Sequence, residues 1–425
     1  CTNTPGSFTC ACDAGYAEYL TSWTELSKAD NPLGAAAGYT AYGKFQAVAG
    51  NVLAVSGDEE NGLAGAVYLY EDQGDGAGYV QTARLASPTD SAGARCGNGL
   101  AMYESQQQPG AVKVFMGCRG ENGSQGSVHV FEYANGAATL LESLVIPDGT
   151  ASNYDQFGET IALSGSTLVV GASNDNSRRG SAFIFEYTGG QTATTFVQTI
   201  EARDPLPDTN FCQQVAVDGN LLVCGSSFSN SAHVFEDTGA GFAMVTNLGA
   251  SGNFGQAVAV QGDLIFVSAP SYGEGRVFVY ERVAAGVVTQ VSVLSKAGTP
   301  GAGDSFGWSL AVSGGNLAVS AKRHDEPGRS NVGCVDVYQV ASGTAITLLA
   351  RLVPAVSTDF GYGVAMSGST VAAGSTQLGG SVWVFGGATT CSDVNECAAD
   401  AAICGANAAC TNTVGSYACA LLPGF

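Results

Sequence analysis

The sequence predicts an all-β chain: a seven-bladed β-propeller whose last blade is closed by an N-terminal strand, with small disulfide-rich modules at its two ends. Three observations predict it. A phrase of the form aromatic-Gly-x-x-apolar-Ala-x-x-Gly recurs seven times, beginning at Tyr42, Cys96, Phe157, Phe211, Phe254, Phe306 and Phe360. Each copy is followed by short β-branched and aromatic runs broken by Gly, Asn, Asp and Ser, the pattern of antiparallel strands. Finally, a lone strand-like segment, Tyr19 to Leu26, precedes the first copy, and the seventh copy stops at Phe385 without a fourth strand.

The third copy shows the unit. Phe157 to Leu163 reads as a first strand, Ser164-Gly165-Ser166 as a tight turn and Leu168 to Val170 as a buried second strand. The polar loop Asn174 to Arg179 leads to a third strand, Ser181 to Glu186, and Phe196 to Ile200 makes a fourth. The third strand recurs at Gly65 to Tyr70, Gly126 to Phe131, Gly275 to Tyr280 and Gly380 to Phe385. The closing glycine keeps its offset at Gly50, Gly165, Gly219, Gly262, Gly314 and Gly368, while the second copy has Glu104 there and a longer loop. Four-stranded units repeated in this way close into a ring. Tyr19 to Leu26 matches fourth strands such as Tyr79 to Leu85, so it is expected to complete the seventh blade and cover its edge.

These phrases resemble the FG-GAP repeat of integrin α-subunit propellers, over roughly residues 17–387. Blades of that kind often carry an Asp-rich calcium loop between the first and second strands. Here that turn is short, as in Asp218-Gly219-Asn220 and Ser367-Gly368-Ser369, and lacks the oxygens of a calcium cage. No calcium is expected in the propeller loops.

The thirteen cysteines suit an oxidising compartment. Cys96 with Cys118, and Cys212 with Cys224, each span the first and second strands of one repeat, where neighbouring strands come within disulfide reach. Cys334 takes the third-strand slot held by Ser127, Ser181 and Ser381, so a buried unpaired thiol is expected over a reactive one.

Both ends resemble calcium-binding EGF-like domains. At the C-terminus, Asp393-Val394-Asn395-Glu396-Cys397 leads to Cys404, Cys410 and Cys419, with Asn412-Thr413-Val414-Gly415-Ser416-Tyr417 between the last two. The N-terminus repeats this as Cys1-Thr2-Asn3-Thr4-Pro5-Gly6-Ser7-Phe8-Thr9-Cys10-Ala11-Cys12. The resemblance implies pairing of Cys397 with Cys410 and of Cys404 with Cys419. It also implies that residues 1–16 hold the third to fifth cysteines of a module whose sixth is Cys391, at the end of residues 388–391. The propeller is then inserted in a split module, with Cys12 bonded to Cys391, and residues 392–425 form a second, incomplete module. Cys1 and Cys10 would need partners before residue 1, which implies a longer chain. Leu421 stands where the last module's fifth cysteine belongs.

The same resemblance implies a Ca2+ site in the last module. Asp393, Glu396 and Asn412 would give side-chain oxygens, and Val394, Thr413 and Ser416 backbone carbonyls; a purely structural Asn-rich turn is the alternative. Asn3 matches Asn412, and both fit the family's hydroxylation pattern.

The net charge of −21 argues against nucleic acid and anionic membranes as partners, and serves cation binding, basic partners or solubility alone. No apolar run approaches a membrane span. Enzymatic signals are poor. His129 and His233 take strand slots held elsewhere by Phe183 or Phe278, and His324 reads as a solvated loop tip. No hydrolase, zincin or P-loop phrase occurs, and the inner strands read as largely apolar. Asp58-Glu59-Glu60 and Asn174-Asp175-Asn176 read as acidic loops, solvated or open to a cation, and Asn122-Gly123-Ser124 is a glycosylation sequon. No catalytic residue is assigned. The expected function is a non-enzymatic extracellular structural or adhesive module, a repeating unit of a matrix, cell-surface or flagellar-hair (mastigoneme-like) filament. Its partners would be neighbouring EGF-like modules and other copies or extracellular proteins. The alternative is a ligand-recognition receptor ectodomain.

Overall fold

The computed structural model describes residues 2–4, 7–9, 16–34, 41–74, 78–89, 91–105, 110–147, 149, 151–187, 194–202, 209–296, 303–355, 358–377, 379–393, 408–413 and 416–421; side chains are described from 23 to 387 within these. The chain divides into two compact units, Glu25–Phe385 and the combination of Cys1–Thr24 with Gly386–Phe425.

The larger unit is a seven-bladed propeller. Blade 1 is a four-stranded antiparallel sheet of Tyr42–Ala49, Val52–Gly57, Ala66–Asp72 and Tyr79–Leu85, in that order. Blades 2 to 6 repeat the order. Blade 7 takes Val364–Ser367, Thr370–Ser375 and Ser381–Asp393 from the end of the chain, and its fourth strand is Tyr16–Asp30 from the beginning. The expected ring closure is therefore present. Its seam is fastened by Asn31, whose backbone N–H donates to the Gly380 carbonyl and whose Nδ2 donates to that of Gly379, at 3.3 and 2.8 Å. Ser381 Oγ donates to Asp30 at 2.6 Å.

The core lies between blades. The leading aromatics Phe157, Phe211, Phe254, Phe306 and Phe360 are fully buried. A glycine just before the third strand of one blade bridges the leading residue of the next: Gly65 to Cys96, Gly126 to Phe157, Gly275 to Phe306 and Gly333 to Phe360. In six blades the third and fourth strands slip register at one equivalent place, as between Val130 and Phe131 or Ile184 and Phe185. Such bulges increase local twist, which suits a fanned blade.

Two loop expectations are corrected. The acidic loops are not solvated: Asp58, Glu60 and Asp175 are buried, as is Glu121 at the equivalent place. The segments Glu60–Leu63, Glu121–Ser124 and Asp175–Arg178 wind into single turns, with Asn61, Asn122 and Asn176 in the left-handed region that Asn tolerates. This turns the first acid inward, where the third strand supplies a hydroxyl to it: Tyr68 to Glu60, Ser127 to Glu121 and Ser181 to Asp175. Nor is His324 a solvated tip. It is buried, with Nε2 3.0 Å from Glu326 and Nδ1 3.9 Å from the buried Asp304, because its loop folds back onto blade 6.

Candidate functional site

The two ends of the chain hold the same small hairpin. Near the N-terminus, Thr2–Thr4 pairs with Ser7–Thr9, with Asn3 opposite Phe8 and Thr4 opposite Ser7. Near the C-terminus, Ala408–Thr413 pairs with Ser416–Leu421, with Cys410 opposite Cys419, Asn412 opposite Tyr417 and Thr413 opposite Ser416. The register thus brings Asn412, Thr413 and Ser416 together at one hairpin end. Asp393 closes the strand Ser381–Asp393, whereas Val394 and Glu396 lie outside the described residues. The two carboxylates, one amide and three carbonyls expected there would make an all-oxygen donor set of the kind Ca2+ takes. Of the disulfides implied for these modules, Cys12, Cys397 and Cys404 lie outside the described residues, as do the side chains of Cys391, Cys410 and Cys419.

Within the propeller the structure holds Cys96–Cys118 and Cys212–Cys224 as disulfides. Cys212 occupies the glycine place of the repeat phrase and keeps its positive φ, at 57°. Cys96, Cys118 and Glu121 come within metal-ligand reach of one another, but the two sulfurs are spent on each other. Cys334 is a free, fully buried thiol, pushed up by burial and then by the Asp336 carboxylate, the opposite of an activated nucleophile. His129 is held by Glu121 at 2.9 Å and Ser143 at 2.8 Å. Burial alone would raise the Glu121 carboxyl, but hydrogen bonds from His129, Ser127 and Ser87 outweigh it and bring it down to about 2. His233 is buried against Phe211 with Nδ1 unpartnered, and burial lowers it to about 4 against the opposing hydrogen bond to the Cys224 backbone. Asn122 is exposed on its turn.

The reading of the inner strands as largely apolar is corrected at one column of the repeat. Two residues after each leading position stand Lys44, Asn98, Glu159, Gln213, Gln256, Trp308 and Tyr362, and all seven line one opening of about 370 Å3. Two residues further on, Leu100, Ile161, Val215, Val258, Leu310 and Val364 line the same opening, with Gln46 in the remaining blade. Each column thus brings one residue per blade to this central channel, one column a polar ring and the other, Gln46 apart, an aliphatic ring.

The charges in the polar ring are met by residues that directly follow second strands. Lys44 Nζ lies 3.1 Å from Asp58, and Arg119 lies 3.8 Å from Glu159. Lys322 sets its ammonium 2.9 Å from the Trp308 ring centroid and 4.7 Å from that of Tyr362. Burial lowers this ammonium to about 8, helped by Arg323 and opposed by Asp359. Sequence reasoning missed the ring, although aligning the seven copies on their leading residue exposes the column.

The FG-GAP repeat model matches residues 142–185, and the calcium-binding EGF domain model matches residues 1–26 and 393–425. The chain resembles both families. No curated protein matches it. The FG-GAP match runs from the fourth strand of blade 2 through the third strand of blade 3, so the family's repeat straddles the blade boundary that the glycine–aromatic bridge fastens. The calcium-binding EGF match supports Ca2+ binding by the EGF-like sequence. With the propeller disulfides, the FG-GAP and EGF matches indicate an extracellular domain of adhesion or recognition type, from families that are typically not enzymes. Among the described residues, no helix is long and apolar enough to cross a membrane.

Proposed function

We propose that this chain is a structural or adhesive module of a large extracellular protein, in which a propeller is inserted into a line of calcium-stiffened EGF-like modules. One observation carries the reading: the strand that enters the propeller and the strand that leaves it are neighbours in blade 7. A domain entered and left at one seam can be added to a rod without interrupting it. The split-module disulfide Cys12–Cys391 is the expected tie, Asn122 is the expected glycan acceptor, and neighbouring EGF-like modules and further copies are the expected partners. A repeating unit of a matrix, cell-surface or mastigoneme-like filament is the specific form proposed.

Electron microscopy of the native source material with and without a calcium chelator tests this. Filaments that soften or fragment on chelation are the expected result, and dispersed particles indifferent to calcium overturn it. Non-reducing peptide mapping should join the Cys12 and Cys391 peptides; a Cys12 bond to Cys1 or Cys10 removes the split module. The polar ring favours a second reading, a ligand-recognition ectodomain.

A further inference from the structure

We infer that the mouth of the central channel binds a neutral, hydroxyl-rich ligand, the end of a saccharide. The opening has the volume of a small-ligand site, which ordinarily runs from about 300 to 1,000 Å3. The second ring, aliphatic except for Gln46, gives it a largely apolar lining beside the polar one.

The polar atoms define the ligand. Gln46 Oε1 and Asn98 Oδ1 are buried acceptors with no hydrogen-bond partner, and Arg119 Nε is a buried donor with none. All three side chains line the opening, and Gln46 and Asn98 are 9 % and 6 % exposed. Each unmet group costs about 1–3 kcal/mol, so three at one mouth mark a place where something else supplies the partners. Acceptors and a donor around one opening call for a group that both donates and accepts, which a hydroxyl does.

The charges at the mouth are largely occupied by neighbouring side chains, which favours a neutral ligand. Lys44 is matched by Asp58, Arg119 by Glu159, and the Lys322 ammonium is taken up by the faces of Trp308 and Tyr362. The two rings meet edge to face, with centroids 5.8 Å apart, and the C–H face of a sugar would pack on the side of this aromatic wall turned away from the ammonium. This inference uses no part of the filament reading: chelation of filaments and sugar binding by the single chain are separate readouts, and either can fail alone.

The test is a glycan array carrying neutral, amino and uronic-acid sugars, probed with the full chain, followed by calorimetric titration of the strongest neutral monosaccharide found. Retention of neutral glycans is expected. Gln46→Leu and Asn98→Leu should each weaken the titrated sugar about tenfold or more by removing an acceptor. Arg282→Gln, at the opposite end of the blades, should leave it unchanged. Thermal melts check that the variants fold. In the unaltered chain, bound sugar should shield Trp308 from acrylamide quenching, a readout that needs no variant. No retained glycan, retention of anionic glycans alone, or sugar binding that leaves quenching unchanged overturns the inference. Binding unaltered in both folded leucine variants does the same.

Discussion

Gly126 of blade 2 forms a parallel bridge to Phe157 of blade 3, and a Cβ at Gly126 would stand 2.0 Å from the Phe157 carbonyl oxygen. Its φ of 91° is also one that L side chains rarely adopt. The same contact recurs at Gly65, Gly180, Gly275, Gly333 and Gly380. In blade 4 Asn230 replaces the glycine, and its Oδ1 accepts the backbone N–H groups of Asn253 and Phe254. The bridge is therefore what the repeat maintains, by glycine or by an amide.

Gly126→Ala combines this clash with an unfavourable backbone and should cost on the order of 3 kcal/mol or more. Gly136→Ala separates the two terms, because Gly136 shares a positive φ, 77°, but faces open space. It should cost only about 1 kcal/mol. Urea midpoints of the two variants measure the difference.

His233 predicts a loss of stability in mild acid. Its folded value lies near 4 and its ordinary value at 6.5, so the unfolded chain takes up the proton first as pH falls. Stability should decline between those two values, by roughly 3 kcal/mol in full. His233→Phe, with the residue that Phe183 supplies in blade 3, should flatten this window in melts run from pH 7 to 4.

Glu121 predicts a second, lower window. Its carboxyl is held near 2 against an ordinary 4.5, so its contribution is present in full above 4.5 and drains away as pH falls toward 2. Glu121→Gln should cost about 2–3 kcal/mol at neutral pH by weakening bonds to Ser87, Ser127 and His129. It should also remove the low-pH decline, which the same melts extended to pH 2 would show.

Calcium is predicted to act on the EGF-like sequence and to leave the propeller melt in place. A chelator should shift one calorimetric transition down and leave the other. Asn412→Ala should move the calcium midpoint for that shift to higher concentration, by deleting one side-chain oxygen from the expected set.

Much of this was readable before the fold was known, because it rests on local chemistry repeated along the chain. The leading aromatics, the turn glycines and the third strands announced themselves by recurrence, and the unmatched strand before Tyr42 by its missing partner. The expected calcium donors Asp393, Glu396 and Asn412 came from the resemblance of the C-terminal sequence to calcium-binding EGF-like domains. Asp58, Glu60 and Asp175 were misjudged because composition marks an acidic loop as wet. Whether it folds inward depends on a left-handed turn and on a hydroxyl several residues later.

The sequence by itself determined the blade count, the strand order within a blade and the strand that closes the ring, since each follows from periodicity and from hydrogen bonds between neighbouring segments. Only the tertiary structure decided what the blades enclose. Lys44, Asn98, Glu159, Trp308 and Tyr362 stand in five different blades and meet at one opening. Aligning the copies shows that these residues hold one place in the repeat, but not that this place looks into the channel. Closure of the ring settles that, because only then does one edge of every sheet converge on a common axis.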